Sequence, residues 1–220
     1  TMDVERNDMM KESIDIIRQI WDGEPPYDIQ GKFWKISIKD WVHDDLGLGS
    51  MCKPYQKPYP PMAISAMSPF SSSIRYAAEM DFIPISANFI GNWSVKSHWQ
   101  VYAEECEKQG RTADPEVWRV ARNIHVAETD AEAEAFVKQA NGSTDWYFDY
   151  LYRIFDRAQM KGAFVVNKGD EPEDLTHEAL RDNYTIYGSP DTVAEKILAL
   201  REDIGHFGTL LMTAQDWVDA

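Results

Sequence analysis

From residue 61 to residue 213 the sequence repeats one alternation, and this limits the possible fold more than any other feature. Four short apolar runs read as strands: "PMAISA" (61–66), "FIPISANF" (82–89), "WRVARNIHVAE" (118–128) and "FGTLLMT" (207–213). Helical stretches separate them: "SSSIRYAAEM" (71–80), "SVKSHWQVYAEECEKQG" (94–110), "DAEAEAFVKQA" (130–140) and "SPDTVAEKILALREDIG" (189–205). The third of these opens a helical stretch reaching about Ala163; a polar loop follows, and "YTIYG" (184–188) is a short extended piece. Strands alternating with helices build βαβ units and a parallel sheet. Right-handed crossovers cover both sheet faces, which suits nearly continuous apolar strands.

Two architectures offer such a sheet, the open doubly wound fold and the (β/α)8 TIM barrel. No G-x-G-x-x-G follows a strand, so the dinucleotide-binding fold lacks its signature. A full barrel needs eight strands and typically about 250 residues. Only four barrel-type strands are legible, and only "AQDWVDA" follows the last. The pattern predicts the second half of an α/β barrel.

Upstream, residues 5–22 read as a helix with an apolar stripe of Met10, Ile14, Ile17 and Trp21. Gly23, Pro25 and Pro26 end it. "YDIQGKFWKISI" (27–38) reads as a small hairpin, and 39–61 as a long loop. The expected organisation is one partial barrel domain over 1–220, with a hairpin and long-loop insertion at about 24–60. Two glycines in "HDDLGLGSM" would hinge that segment as a lid.

The net charge of −15 argues against nucleic acid and anionic membranes as partners. No apolar run approaches the roughly 20 residues of a membrane span, no signal peptide is visible, and two cysteines make no disulfide framework. A cytoplasmic protein is expected. An anionic ligand would need a local positive device, such as a helix N-terminus, to bind against the overall field.

Two helix starts offer one. "AMSPFSSS" places Ser68, Ser71, Ser72 and Ser73 between a strand and a helix, where hydroxyls either cap the helix or join its unpaired amides in cradling a phosphate. At "YGSPDTVAEKI", Ser189 suits an N-cap, Pro190 the first turn, and Asp191 opposes an anion, so capping is favoured. Asn88 and Phe89 end the second strand, and Gln215, Asp216 and Trp217 follow the last. All five would line a barrel mouth, where TIM-barrel sites form. Of the histidines, His98 reads as packing and His125 as core or pocket. His43 is the freest to act as acid or base, but nothing positions it. His43, His98, His125, His177 and His206 show no metal-ligand spacing, and no metal site is expected. Arg119 and Arg122 lie three apart on a strand and so face opposite sides. No catalytic residue can be assigned.

Four stretches, in order, resemble the bacterial-luciferase-like flavin-dependent monooxygenases, especially the limonene-hydroxylase-like branch. They are "ERNDMMKESIDIIRQIWDG" with "YDIQGKFW", "KPYQKPYPPMAISAMSPFSS", "WRVARNIHVAETDAEAEA" and "YGSPDTVAEKILALREDIGHFGTLLMTAQDW". The resemblance implies a TIM barrel to which this chain supplies roughly strands 5–8. It implies reduced FMN as cofactor, supplied by a separate flavin reductase, and oxygenation of a small apolar organic substrate by O2. It places Ser68 and Ser71, with Ser72 secondary, at the flavin phosphate, and Asn88 and Trp217 at the pocket wall. An F420-dependent oxidoreductase on the same fold, or a non-catalytic flavin-binding or assembly fragment, are the alternatives. A half-barrel leaves sheet edges unpaired. Either a homo-oligomer or pairing with the missing N-terminal half is therefore expected.

Overall fold

A computed structural model of the protein describes residues 2–213, in two units, Thr1–Pro61 and Met62–Ala220. The first begins with helix α1 (Met2–Asp22) and continues into an antiparallel hairpin of β1 (Tyr27–Gln30) and β2 (Lys35–Ile38), with Ile29 opposite Ile36. A carboxylate joins helix to hairpin. Glu12 accepts hydrogen bonds from the backbone amides of Lys32 (3.0 Å), Phe33 (2.9 Å) and Trp34 (2.9 Å). Desolvation works against its charge, but the three amides outweigh it and hold the carboxyl below its ordinary value. Lys53 closes the other end of α1 by donating to the carbonyls of Ile20 (2.7 Å) and Gly23, where a cation suits the helix dipole. The buried face of α1 centres on Ile16, whereas Ile17, expected in the stripe, is 40% exposed. The long loop after β2 holds a 3-10 turn (Asp44–Leu46) closed by paired backbone bonds between His43 and Leu48.

The second unit is the α/β part. Its strands are β3 (Ala63–Ala66), β4 (Ile83–Ser86), β5 (Arg119–Val126), β6 (Thr185–Gly188) and β7 (Thr209–Thr213), and every pairing among them is parallel. The order is β3-β4-β5-β6, with β7 also on β5. "YTIYG" is therefore a true strand, in register from Asn123↔Thr185 to Val126↔Gly188. The intervening helices are α2 (Ser72–Glu79), α3 (Asn92–Lys108), α4 (Asp130–Val137), α5 (Ser143–Arg157), α6 (His177–Tyr184) and α7 (Pro190–Ile204).

Two of these differ from the sequence reading. The single long helical stretch after residue 130 is two helices. Asn141 adopts φ +60° and Gly142 caps α5, so the chain turns there. The polar loop contains α6, whose propensity signal is weak but whose docking is strong. Leu180 is fully buried, and Arg181 pairs with Asp145 of α5 at 2.9 Å.

Burial follows the layers. Trp118, Val120, Ile90, Val95, Leu200, Ile204 and Phe207 form one cluster around β5, α3 and α7. The ring of Trp118 stacks on Trp99, with centroids 5.4 Å apart. A second cluster joins Phe148, Phe155, Phe164, Leu180 and Tyr184. Part of the aromatic content is thus core, while Trp34, Trp41, Tyr55, Trp146 and Tyr150 are exposed. At the entry to β7, Gly208 donates to the Pro115 carbonyl (3.0 Å), and a Cβ there would lie 1.9 Å from the Glu116 carbonyl oxygen. Only a bare backbone brings β7 into register on β5. Gly208→Ala is expected to lower unfolding stability by about 1–3 kcal/mol through overpacking against backbone. Gly162→Ala, whose Cβ meets nothing within 4 Å, should be near neutral. Urea unfolding of both variants checks this.

Candidate active site

Ligands of parallel α/β sheets bind beyond the carboxyl ends of the strands. The serine loop lies beyond β3, Asn88 beyond β4, and Thr213 ends β7.

The serine loop is held from α3. Phe70 N donates to Ser97 Oγ (2.8 Å), and Ser97 Oγ donates to Ser94 O (2.6 Å). His98 is fully buried; its Nε2 lies 2.9 Å from Ser68 O and its Nδ1 3.0 Å from Ser86 Oγ. A carbonyl can only accept, so Nε2 carries the proton, and Nδ1 accepts from the Ser86 hydroxyl. That hydroxyl in turn accepts from Trp118 Nε1 at 3.0 Å. Burial lowers the His98 pKa, only partly offset by the Ser68 carbonyl. Within the loop, Ser71 is the N-cap of α2 and accepts from Ser73 N at 3.2 Å. Ser68 and Ser72 are exposed. The Ser68 hydroxyl makes no hydrogen bond among the described residues.

The two helix starts differ in charge. No acidic residue stands in the first turn of α2. At α7, Asp130 accepts from Ser189 N (2.6 Å) and Thr192 Oγ1 (3.0 Å), and Ser189 caps the helix. Those hydrogen bonds hold the Asp130 carboxyl below its usual value. Gly188, at φ +151°, leaves the space that Asp130 fills; a Cβ would sit 2.8 Å from its Oδ1. The chain's own carboxylate thus occupies the N-terminus of α7, while the first turn of α2 carries no acidic residue of its own.

Beyond β4, Asn88 Nδ2 has three acceptors in reach: Asn123 Oδ1 (2.8 Å), Tyr147 OH (3.0 Å) and Thr213 Oγ1 (3.3 Å). Asn123 Nδ2 donates to the Tyr184 carbonyl (3.0 Å), which fixes that amide and, through it, the orientation of Asn88. The Asn88 oxygen accepts no hydrogen bond among the described residues. Burial raises the Tyr147 pKa despite the Asn88 bond, so its phenol stays neutral at ordinary pH. The sequence alone does not single out Asn123, Tyr147 or Thr213. Asn123 was the findable one, a carboxamide inside an apolar strand; Tyr147 arrives from α5 with no local signal.

Elsewhere, Phe89 packs edge-on against Phe155 and Phe164. His125 is only half-buried and stacks on Phe136, with centroids 4.0 Å apart. Arg122 is buried, which brings its pKa down to about 10. It donates to Ala121 O (2.8 Å) and Asn92 Oδ1 (2.8 Å), and Asn92 passes the contact on to Asp203 (2.7 Å). Arg119 goes instead to Thr209 Oγ1 (2.7 Å). A cavity of about 480 Å³ adjoins Arg122 and Lys196, with Asp182 and Asp203 opposing their charge. His177 lies near Asp145 and Glu178, and His206 contacts Glu116 and Arg201. Among the described residues no cluster could hold a metal ion, and no helix is long and apolar enough to cross a membrane. Gln215, Asp216 and Trp217 lie outside the described residues.

A parallel α/β sheet thus carries a serine-rich helix start and a carboxamide cluster at its strand ends, where ligands of such sheets bind. The chain belongs to the luciferase-like monooxygenase family, whose family model matches residues 4–206. It is 36% identical over 219 residues to 3,6-diketocamphane 1,6-monooxygenase of Pseudomonas putida, an alignment covering 97% of this chain and 57% of that protein. The solved structure of the oxygenating constituent of 3,6-diketocamphane monooxygenase from Pseudomonas putida, a type II Baeyer-Villiger monooxygenase in complex with FMN, superposes with a TM-score of 0.76 at 35% identity. That match covers 96% of this chain and 57% of the other. Limonene 1,2-monooxygenase of Rhodococcus erythropolis is 26% identical over 132 residues, covering 60% of this chain and 31% of that enzyme. The chain thus spans little more than half the length of the first two relatives.

The buried, neutral His98 has a pH consequence. Its folded-state pKa lies below the ordinary 6.5. As pH falls below that value the unfolded chain takes up the proton first, so stability present at neutral pH is lost on the acid side. His98→Gln should flatten the fall in melting temperature between pH 7.5 and 5. His125, also lowered by burial, remains in both proteins as a common background. Melts across that range, with variant and wild type side by side, check it.

Proposed function

We propose that the protein carrying this chain is an FMN-dependent monooxygenase that oxygenates a small apolar organic molecule, with a ketone the first class to try. The observation that carries the reading is the serine loop beyond β3. It combines an uncharged helix N-terminus, the Ser71 cap and an unengaged Ser68 hydroxyl. The residues suit the phosphate of FMN, and in an acidic chain they form a local site where an anion is tolerated. Family membership and the FMN complex of a 35% identical protein support the same cofactor. They favour FMN over F420.

Bound reduced FMN would supply two electrons to O2, so that one oxygen atom enters the substrate and the other leaves as water. The chain's own residues would do the rest. Ser68, Ser71 and Ser72 would hold the phosphate end. Asn88 would present its amide oxygen to an N–H of the ring, held in that orientation by Asn123, Tyr147 and Thr213. Trp217 would wall the pocket. The parallel sheet would be the strand 5–8 portion of a (β/α)8 barrel, with residues 24–60 as an insertion. A cytoplasmic setting, a separate flavin reductase and assembly into an oligomer or with the barrel's other half complete the proposal.

Two measurements test it. In the full-length natural protein, anaerobic titration should show reduced FMN binding and F420 failing to bind. Added 18O2 and a cyclic ketone should then give product carrying one labelled oxygen. Binding of F420 instead of FMN would select the oxidoreductase alternative, and flavin binding with no oxygenated product from any small apolar substrate would select the non-catalytic one. Separately, Ser68→Ala with Ser71→Ala should weaken FMN by roughly 1.5–3 kcal/mol per lost bond to the charged phosphate. Riboflavin, which lacks the phosphate, should be nearly unaffected. Loss of the α2 cap would also lower stability by about 0.5–2 kcal/mol, but the ratio of the two affinities is insensitive to that. An unchanged ratio would mean that the serines serve the helix alone.

A further inference from the structure

Phe70 has φ +52° in the middle of the serine loop, a left-handed conformation that a phenylalanine adopts only when its surroundings impose it. The ring does not impose it, because Phe70 is 53% exposed. The constraints come from two adjacent residues of α3. Ser97 Oγ accepts the Phe70 amide at 2.8 Å, and His98 Nε2–H donates to the Ser68 carbonyl at 2.9 Å. Both are buried, and both are themselves anchored. Ser97 donates back to the Ser94 carbonyl, and His98 accepts from Ser86 of β4, which is held by Trp118 beside β5. The loop after β3 is thus fixed by β4, β5 and α3 and not only by its own sequence.

We propose that Ser97 and His98 are positioning residues for the cofactor's phosphate, setting the Ser68 and Phe70 backbone so that the hydroxyls and first-turn amides of α2 converge on one anion. This rests on the phosphate assignment of the serine loop made above. Neither residue need touch the ligand; each acts through the backbone it holds.

The two nitrogens of His98 have different jobs, which makes the proposal separable from general packing. His98→Gln retains an N–H able to reach the Ser68 carbonyl but abandons Ser86. His98→Asn retains an acceptor for Ser86 but lets go of Ser68. Both replace a buried ring and should lower the melting temperature, so stability does not distinguish them. The ratio of FMN to riboflavin affinity does. In the full-length natural protein, His98→Asn and Ser97→Ala should lower it at least fivefold, while His98→Gln should stay within twofold of wild type. Hydrogen exchange of the Phe70 amide in the ligand-free protein should quicken in His98→Asn and Ser97→Ala and remain slow in His98→Gln. If wild type favours FMN and Ser68→Ala with Ser71→Ala removes that preference, but the ratio is the same in all three α3 variants, the positioning role is wrong and the phosphate assignment stands. If wild type shows no preference for FMN over riboflavin, the phosphate assignment falls and the positioning role falls with it.

Discussion

Strand β5 is the constraint on which the rest of the sheet depends. Its first two residues pair with β4, its first five with β7 and its last four with β6. Asn123 is the hinge of this arrangement, being the register partner of both Thr185 and Thr213. Because that position is shared, a side chain there is brought automatically to where several strand ends meet. A carboxamide with two donors and an acceptor can satisfy the Tyr184 carbonyl, Thr213 and Asn88 at once. Trp118 immediately precedes the same strand, and its indole starts the polar chain leading through Ser86 and His98 to the serine loop. Fold and candidate site therefore share one set of interactions.

The acidic composition gives the two helix starts their meaning. A chain with a net charge of −15 offers few places where an anionic ligand gains free energy by leaving water. Both α2 and α7 begin with serine caps beyond parallel strands. Among the described residues only α7 of the two has a carboxylate seated at its start, and Gly188 makes room for it. Asp130 comes from 59 residues away in the chain, so it could not be foreseen from the motif around Ser189, although the capping reading of Ser189 agreed with it.

What sequence made legible was whatever one short window decides. Apolar runs of strand length, spaced by amphipathic helices, placed the parallel strands within a few residues, because strands covered on both faces are predominantly apolar. The hairpin at residues 27–38 followed from alternation around a glycine. Features decided by distant partners were not legible. Helix α6 reads as polar loop because its stability lies in the burial of Leu180 and the pairing of Arg181 with Asp145, neither of which a local pattern reports. In the candidate site, Asn88 could be found by its place after a strand. Tyr147 could not, since α5 delivers it from 59 residues further along. His98 reads as packing from its mid-helix position, and it is buried, yet both its nitrogens are engaged in a directional chain that hydropathy does not encode.

The pairing of β5 with β7 also sets a schedule. Arg119 meets Thr209 across 90 residues of sequence. At synthesis rates of about 5–20 residues per second, one edge of β5 emerges roughly 5–18 s before the strand that covers it. During that interval Trp118 lacks Phe207, and the bare backbone of Gly208, which sets the register, has yet to be made. The nascent chain must therefore wait with the central strand of its sheet open on one side, a window in which a chaperone has time to bind and in which β6, made first, can occupy its own part of β5 before β7 arrives.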